Sequence, residues 1–320
     1  MPFLLIGASL FALLLIVLII SYVCYRMAFL NPRTQEKQGE EFPIPEGEIY
    51  EPYREQMVSW MKEVRAMPCK EYWITSFDGL RLRGKYYEYA KGAPIELMFH
   101  GYRGTGERDL CGGVQRCFRL GRNVLIVDQR ASGKSEGKVI TFGINESRDC
   151  LAWVDLIIKE FGTDSKIILT GISMGAATVM MAAGKELPKN VICVLADCGY
   201  SSPKEILCSV MDSLKLPSKV LYPLAWLGAK WFGHFDLEEA SAYESMKNCK
   251  LPVLLVHNDG DDFVPFWMSE KCYEACASED KKFVRVKGVG HGLSWCLEPE
   301  KYQSAMVEFF EKTFAVKPVA

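Results

Sequence analysis

The segment Lys166-Ile167-Ile168-Leu169-Thr170-Gly171-Ile172-Ser173-Met174-Gly175, followed by Ala176-Ala177-Thr178-Val179-Met180-Met181-Ala182-Ala183, decides how the chain is read. A short apolar run bounded by turn residues reads as a buried strand, and the small and straight-chain residues after it read as a helix. Ser173 falls at the turn between them, with a glycine two positions before it and another two after. A serine at so sharp a strand-to-helix turn is a strained, presented nucleophile, and the glycines let the backbone bend that tightly. The helix that follows points unpaired N–H groups at an anion forming beside the serine. The G-x-S-x-G pattern alone is only moderately specific; the strand before it and the helix after it give it weight.

Outward from this segment the pattern alternates. Strands are expected over 95–100, 123–128, 166–171, 191–196, 252–257 and 281–287, with helices over 108–120, 146–161, 174–187, 267–277 and 299–314 between and after them. A hairpin precedes them, 71–76 and 80–87, joined through Phe77-Asp78-Gly79. Continuous apolar strands separated by helices imply an α/β fold, a mostly parallel sheet covered on both faces. Ligands in such sheets bind beyond the carboxyl ends of the strands. Ser173, His100, Asp261 and His291 all fall at such ends.

A serine hydroxyl needs a base, and the base needs a carboxylate to fix its tautomer. Only four histidines are present, and His291 sits in Gly288-Val289-Gly290-His291-Gly292 between the last strand and the last helix. Asn258-Asp259-Gly260-Asp261-Asp262 offers three candidate acids. With Phe263-Val264-Pro265 after it, this stretch resembles the α/β-hydrolase superfamily pattern H-G-x-x-D-x-x-V-P, set on His257 to Pro265. The resemblance extends over about 71–314 and implies an α/β-hydrolase fold with a helical lid. It assigns the acid to Asp261, with Asp262 as fallback; Asn258 stands where the pattern has glycine. The order Ser173, Asp261, His291 is the superfamily's own. His100-Gly101-Tyr102-Arg103-Gly104 resembles the family's H-G-x motif, which implies an oxyanion hole from the backbone N–H groups of Tyr102 and Met174 and a structural role for His100. Asp128-Gln129-Arg130-Ala131-Ser132-Gly133-Lys134-Ser135 is no phosphate loop, because Asp128 occupies the place of its first glycine. It resembles instead the D-x-R-G-x-G-x-S loop of many α/β-hydrolases, with Ala131 for a glycine. Phe142-Gly143, Leu151-Ala152-Trp153-Val154 and Asp197-Cys198-Gly199-Tyr200 resemble a subgroup of membrane-anchored bacterial hydrolases described as lipase-like or peptidase-like.

At 320 residues the chain is long enough for one large core, and a net charge of −2 with 24% charged residues gives no footprint for nucleic acid. Twelve cysteines lack paired spacing and read as free thiols of a reducing compartment; Cys272 and Cys276 have no partner pair, so no metal is expected. No cofactor is expected either, and nothing in the sequence sets the oligomeric state.

The N-terminus differs in kind. From Phe3 to Val23, 21 residues carry no charged side chain, which as a helix is about 31 Å, enough to cross a bilayer core. The run is too long for a signal-peptide core, and no Lys or Arg precedes it. The expected organisation is a transmembrane anchor over 1–26, a linker and lead-in helix over 27–68, and the hydrolase domain over 69–320 with a lid at about 201–249. Arg26, Arg33 and Lys37 just after the span favour the cytoplasmic face for the domain.

The leading functional expectation is a serine hydrolase of carboxylic esters, with lipid-like or other apolar acyl substrates suggested by the apolar 201–249 segment. A peptidase or amidase would use the same three residues. A membrane-tethered binding protein on an inactive hydrolase fold would have lost one of them, and none is lost.

Overall fold

The computed structural model describes residues 2–31 and 41–314. Part of the expected linker, with Arg33 and Lys37, lies outside the described residues.

Eight strands form one sheet in the order β1-β2-β4-β3-β5-β6-β7-β8. They are β1 (Lys70–Thr75), β2 (Arg81–Tyr87), β3 (Ile95–Phe99), β4 (Asn123–Val127), β5 (Ile167–Ile172), β6 (Val191–Asp197), β7 (Val253–Gly260) and β8 (Lys281–Val289). The β1–β2 and β2–β4 pairs are antiparallel and every later pair is parallel. Side chains of a strand alternate between faces, and the apolar runs supply both. Leu97, Leu125, Leu169 and Val194 enter the core on one side, while Met98, Ile126, Ile168 and Leu195 face the other.

On the first face lie α4 (Glu146–Phe161), α5 (Met174–Ala183) and α9 (Phe266–Ala275), with the segment expected to form a lid packed onto the same core. Every residue of α5 is buried, which explains why its sequence is apolar all round. It stops at Ala183, earlier than the spacing over 174–187 predicts, and Gly184 follows as its cap. On the second face lie α2 (Arg54–Ala66), α3 (Gly106–Arg119), the short α10 (Ser294–Leu297) and α11 (Pro299–Phe314). The expected lid comprises α6 (Pro203–Ser213), α7 (Ser218–Gly228), a π-helical turn at Ala229–Gly233 and α8 (Ala242–Met246). Ser202 and Ser241 cap α6 and α8, accepting hydrogen bonds from the N–H groups of Glu205 and Glu244.

The first helix, α1 (Pro2–Ala28), runs past the expected anchor boundary at 26. Ser21, Tyr25 and Phe29 are buried, and Val17, Ile20, Cys24 and Ala28 are half-buried, a stripe of three- and four-residue spacing along one helix face. That stripe packs on α7 so closely that a Cβ at Gly228 would stand 2.3 Å from the Ser21 carbonyl oxygen. Phe29 lies between the rings of Phe142 and Phe235, at 5.6 and 5.3 Å. Asn31 donates from its side chain to the Ala131 carbonyl at 2.7 Å and from its backbone to the Lys138 carbonyl at 2.8 Å. The end of α1 is thus part of the hydrolase domain. An apolar run that suits lipid and one that suits a protein core look alike in sequence, so composition could not mark where one gives way to the other.

Candidate active site

Ser173 joins β5 to α5 with φ 57° and ψ −119°. A non-glycine residue there stores on the order of 1–3 kcal/mol of backbone strain. The neighbouring glycines are required by close approach. A Cβ at Gly171 would lie 2.1 Å from the Gly175 carbonyl oxygen, and one at Gly175 would lie 2.0 Å from that of Phe99. The Ser173 N–H donates to the Asp197 carbonyl at 2.8 Å, tying the turn to β6.

Across the sheet, the loop after β8 brings His291 to the serine: Nε2 is 2.7 Å from Ser173 Oγ, and Nδ1 is 2.8 Å from Asp261 Oδ2. Asp261, past the end of β7, is bound at both oxygens. Oδ1 accepts from the Phe263 and Val264 N–H groups at 3.0 and 2.9 Å, and Oδ2 also lies 3.2 Å from His257 Nε2. Burial raises the Asp261 pKa, but hydrogen bonds from His257 and His291 outweigh it and hold the carboxyl down at about 2. An ionised carboxylate can only accept, so the Nδ1 proton of His291 points to Asp261 and Nε2 is left to accept from Ser173. Asp262 makes none of these contacts; the fallback acid is not the one brought to His291.

Tyr102 follows β3 in a tight turn closed by Gly104 N–H donating to the Gly101 carbonyl at 3.2 Å. The turn lies against the serine, since a Cβ at Gly101 would stand 3.8 Å from Ser173 Oγ. Among the described residues, neither the Tyr102 nor the Met174 N–H has an acceptor. Asp109 braces the turn by accepting from Gly101 N–H at 3.1 Å. His100 is fully buried, its Nδ1 2.7 Å from the Gly101 carbonyl and its Nε2 accepting from Gln129 N–H at 3.0 Å. It shapes the turn and is not within reach of the serine.

Sequence reasoning missed several supports. Asn258 Nδ2 donates to the Gly290 carbonyl at 2.6 Å, pinning the His291 loop to β7. A glycine at this position would lack that bond, so the departure from the family pattern was itself the signal. Ser294 Oγ donates to Asp197 Oδ1 at 2.8 Å, and Tyr50 hydroxyl to the His291 carbonyl at 2.9 Å. On the other side, Tyr102 hydroxyl donates to the Ala28 carbonyl at 2.8 Å, and Arg103 Nη2 to those of Met27 and Leu30 at 2.7 and 3.2 Å. The Met27 and Ala28 carbonyls belong to the last turn of α1, which lacks intrahelical donors for them, and Leu30 lies just beyond it.

Cys198 Sγ lies within 4.8 Å of ligand atoms of Asp261 and His291. Burial pushes its thiol well up, and the other two residues already bind one another, a poor donor set for a metal. All twelve cysteines are free.

Comparison with known proteins adds a lineage. The protein YqkD of Bacillus subtilis is 30% identical over 193 residues, 60% of this chain and 63% of that one, so the match spans less than two thirds of the relative. The esterase Pf2001 of Pyrococcus furiosus superposes with a TM-score of 0.64 at 23% identity, covering 78% of this chain and 95% of that one. A puromycin-hydrolyzing peptidase of Mycobacterium tuberculosis does so with a TM-score of 0.60 at 16% identity, covering 79% and 40%. These two share the α/β-hydrolase fold. The family model that matches, over residues 121–317, is that of the prolyl oligopeptidase family, and the chain belongs to this family of α/β-hydrolases.

Proposed function

We propose that the protein is a serine hydrolase of carboxylic esters with apolar acyl groups, held at a membrane by its first helix. The observation that carries this reading is the line of short hydrogen bonds from Ser173 Oγ through His291 to Asp261. In the reaction His291 Nε2 takes the serine proton as Oγ attacks the carbonyl carbon. Asp261 keeps the other ring proton in place and stabilises the imidazolium. The developing oxyanion lies between the Tyr102 and Met174 N–H groups, where each donor contributes about 3 kcal/mol to the transition state. The imidazolium then protonates the departing alcohol, and a water activated by His291 releases the acid from the acyl-enzyme. Apart from that water, these steps use only side chains and backbone groups of this chain.

Two features support an apolar acyl group: the lid, with Val210, Trp226 and Phe232 packed toward the core, and the adjoining apolar helix. A membrane anchor rather than a removed signal sequence is supported by the packing of Ser21 on Gly228 and of Tyr22 on Phe232, which removal of the apolar run would undo. We place the domain on the cytoplasmic face, on the strength of Arg26, Arg33 and Lys37 and of the free cysteines. Membership of the prolyl oligopeptidase family favours a second reading, in which the same groups cleave an amide or peptide bond.

The test uses the full chain in detergent micelles, with Ser173→Ala as control, first with a fluorophosphonate probe and then with p-nitrophenyl esters of graded chain length. Labelling at Ser173 with hydrolysis rising toward longer acyl chains is the expected result. Labelling with turnover of aminoacyl amides but not esters moves the assignment to the second reading. Absence of labelling leaves a tethered binding protein.

A further inference from the structure

The length of the exposed part of α1 bears on where the lid lies. All described side chains from Phe3 to Ile16 are exposed, but that stretch is only about 21 Å of helix, short of a hydrocarbon core of ~30 Å. To span the core, the apolar stretch must also use residues 17–23, and those are the residues whose inner face packs on α7 and the turn after it. The lid surface beside them must then lie at the level of the membrane.

The direction of the lid chain agrees. Gly228 sits at Ser21 and Tyr25, the Phe232 ring meets Tyr22 edge-on and Tyr25 at a tilt at 5.0 and 5.8 Å, and Phe235 meets Phe29 at 5.3 Å. From Gly228 to Phe232 the chain therefore stays at the level of Ser21 to Tyr25, and only by Phe235 has it moved along α1 away from the bilayer; α7, which precedes this stretch and packs along α1, lies on the bilayer side. The lid from the end of α6 through α7 to the turn after it carries exposed Leu214, Leu216, Val220 and Trp231. Lys215, Lys219 and Lys230 are exposed among them, and over residues 212–231 these three lysines face one aspartate, Asp212. Lys230 is partly engaged by Asp236, 3.6 Å away. Apolar side chains with an interfacial tryptophan and lysines suit the boundary between acyl chains and anionic headgroups.

We propose that the outer face of the lid, from Leu214 to Trp231, is a membrane-docking surface that rests in the interfacial layer of an anionic bilayer beside the anchor. The proposal rests on the anchoring reading above. It makes the lid the side of the enzyme from which an apolar substrate enters, and it ties lid position to the membrane rather than to the aqueous phase.

The test exploits the absence of tryptophan from α1. The full chain is reconstituted in vesicles of phosphatidylcholine and phosphatidylglycerol whose acyl chains are brominated near the carbonyl end, and tryptophan fluorescence is compared with that in unbrominated vesicles. Quenching is expected in the wild type, Trp231→Phe is expected to remove a large part of it, and Trp60→Phe, on the opposite face of the sheet, none. Equal quenching in the wild type and Trp231→Phe overturns the proposal. So does absence of quenching in a chain that resists alkaline extraction, which leaves the anchor intact. Release of the chain by alkaline extraction overturns the anchor, and the docking surface with it.

Discussion

The two sides of Ser173 are held in different ways. The proposed acid–base side is built from the α/β domain, with Tyr50 of the lead-in segment as its one support from outside. Asp261 is fixed by two backbone N–H groups and by His257, and the His291 loop by Asn258 and Tyr50. The oxyanion side is braced from within by Asp109, but its outward side chains, Tyr102 and Arg103, are bound to the end of the apolar first helix. One half of the site therefore depends on the sheet and the lead-in segment, while the other also depends on the end of a long, exposed apolar helix. Removal of the first helix should thus be felt at the oxyanion before it is felt at the histidine.

The sharpest way to test the first half is Asp261→Asn. Loss of the carboxylate removes the group that fixes the His291 tautomer, and kcat should fall about 10⁴-fold with little change in KM; steady-state kinetics with a soluble ester measures it. A fall of only a few fold would show that His291 does not lean on Asp261. The second half is tested by deleting residues 1–31. In the truncated chain kcat should fall by about 10- to 100-fold, toward the cost of a misplaced oxyanion donor, while a melting curve reports whether the domain still folds. Unchanged kcat in a folded truncation would break the comparison outright.

Smaller effects sharpen it. Arg103→Ala removes the hydrogen bonds to Met27 and Leu30 without touching the sheet, and should lower kcat several-fold, by roughly 1–2 kcal/mol for the partners lost. Arg103→Lys should recover part of that loss. The corresponding change on the other side, Asn258→Gly, should slow turnover through His291 and shift the pH profile, a readout that Arg103→Ala leaves alone. An effect of a different kind, on folding rather than turnover, is pH-dependent. Folding lowers the Asp261 pKa to about 2, so its contribution, ~2 kcal/mol, is present above the unfolded value near 4 and vanishes as pH falls through 2. Urea melts of wild type and Asp261→Asn should differ near neutral pH and converge at the acid end.

Much of this was legible in the residues. The strand-turn-helix at Ser173, the parallel order of the sheet and the address of Asp261 and His291 beyond strand ends follow from local pattern, because apolar periodicity and turn chemistry are encoded within a few residues. What was not legible is what holds those residues from a distance. Asn258 reads as a departure from a family pattern, and only the approach of the β8 loop shows what it donates to. Arg103 reads as an ordinary loop cation until the carbonyls of Met27 and Leu30, more than seventy positions away, are brought beside it.

By itself, then, the sequence determined the α/β architecture, the membrane-like first helix and the residue types of the candidate site, since each is written in a contiguous stretch. The tertiary structure decided where the first helix stops being exposed and becomes part of the packed α/β domain. The same apolar side chains satisfy lipid and protein alike, and only the close approach at Gly228, the burial of Phe29 and the capping of Met27 and Ala28 distinguish the two.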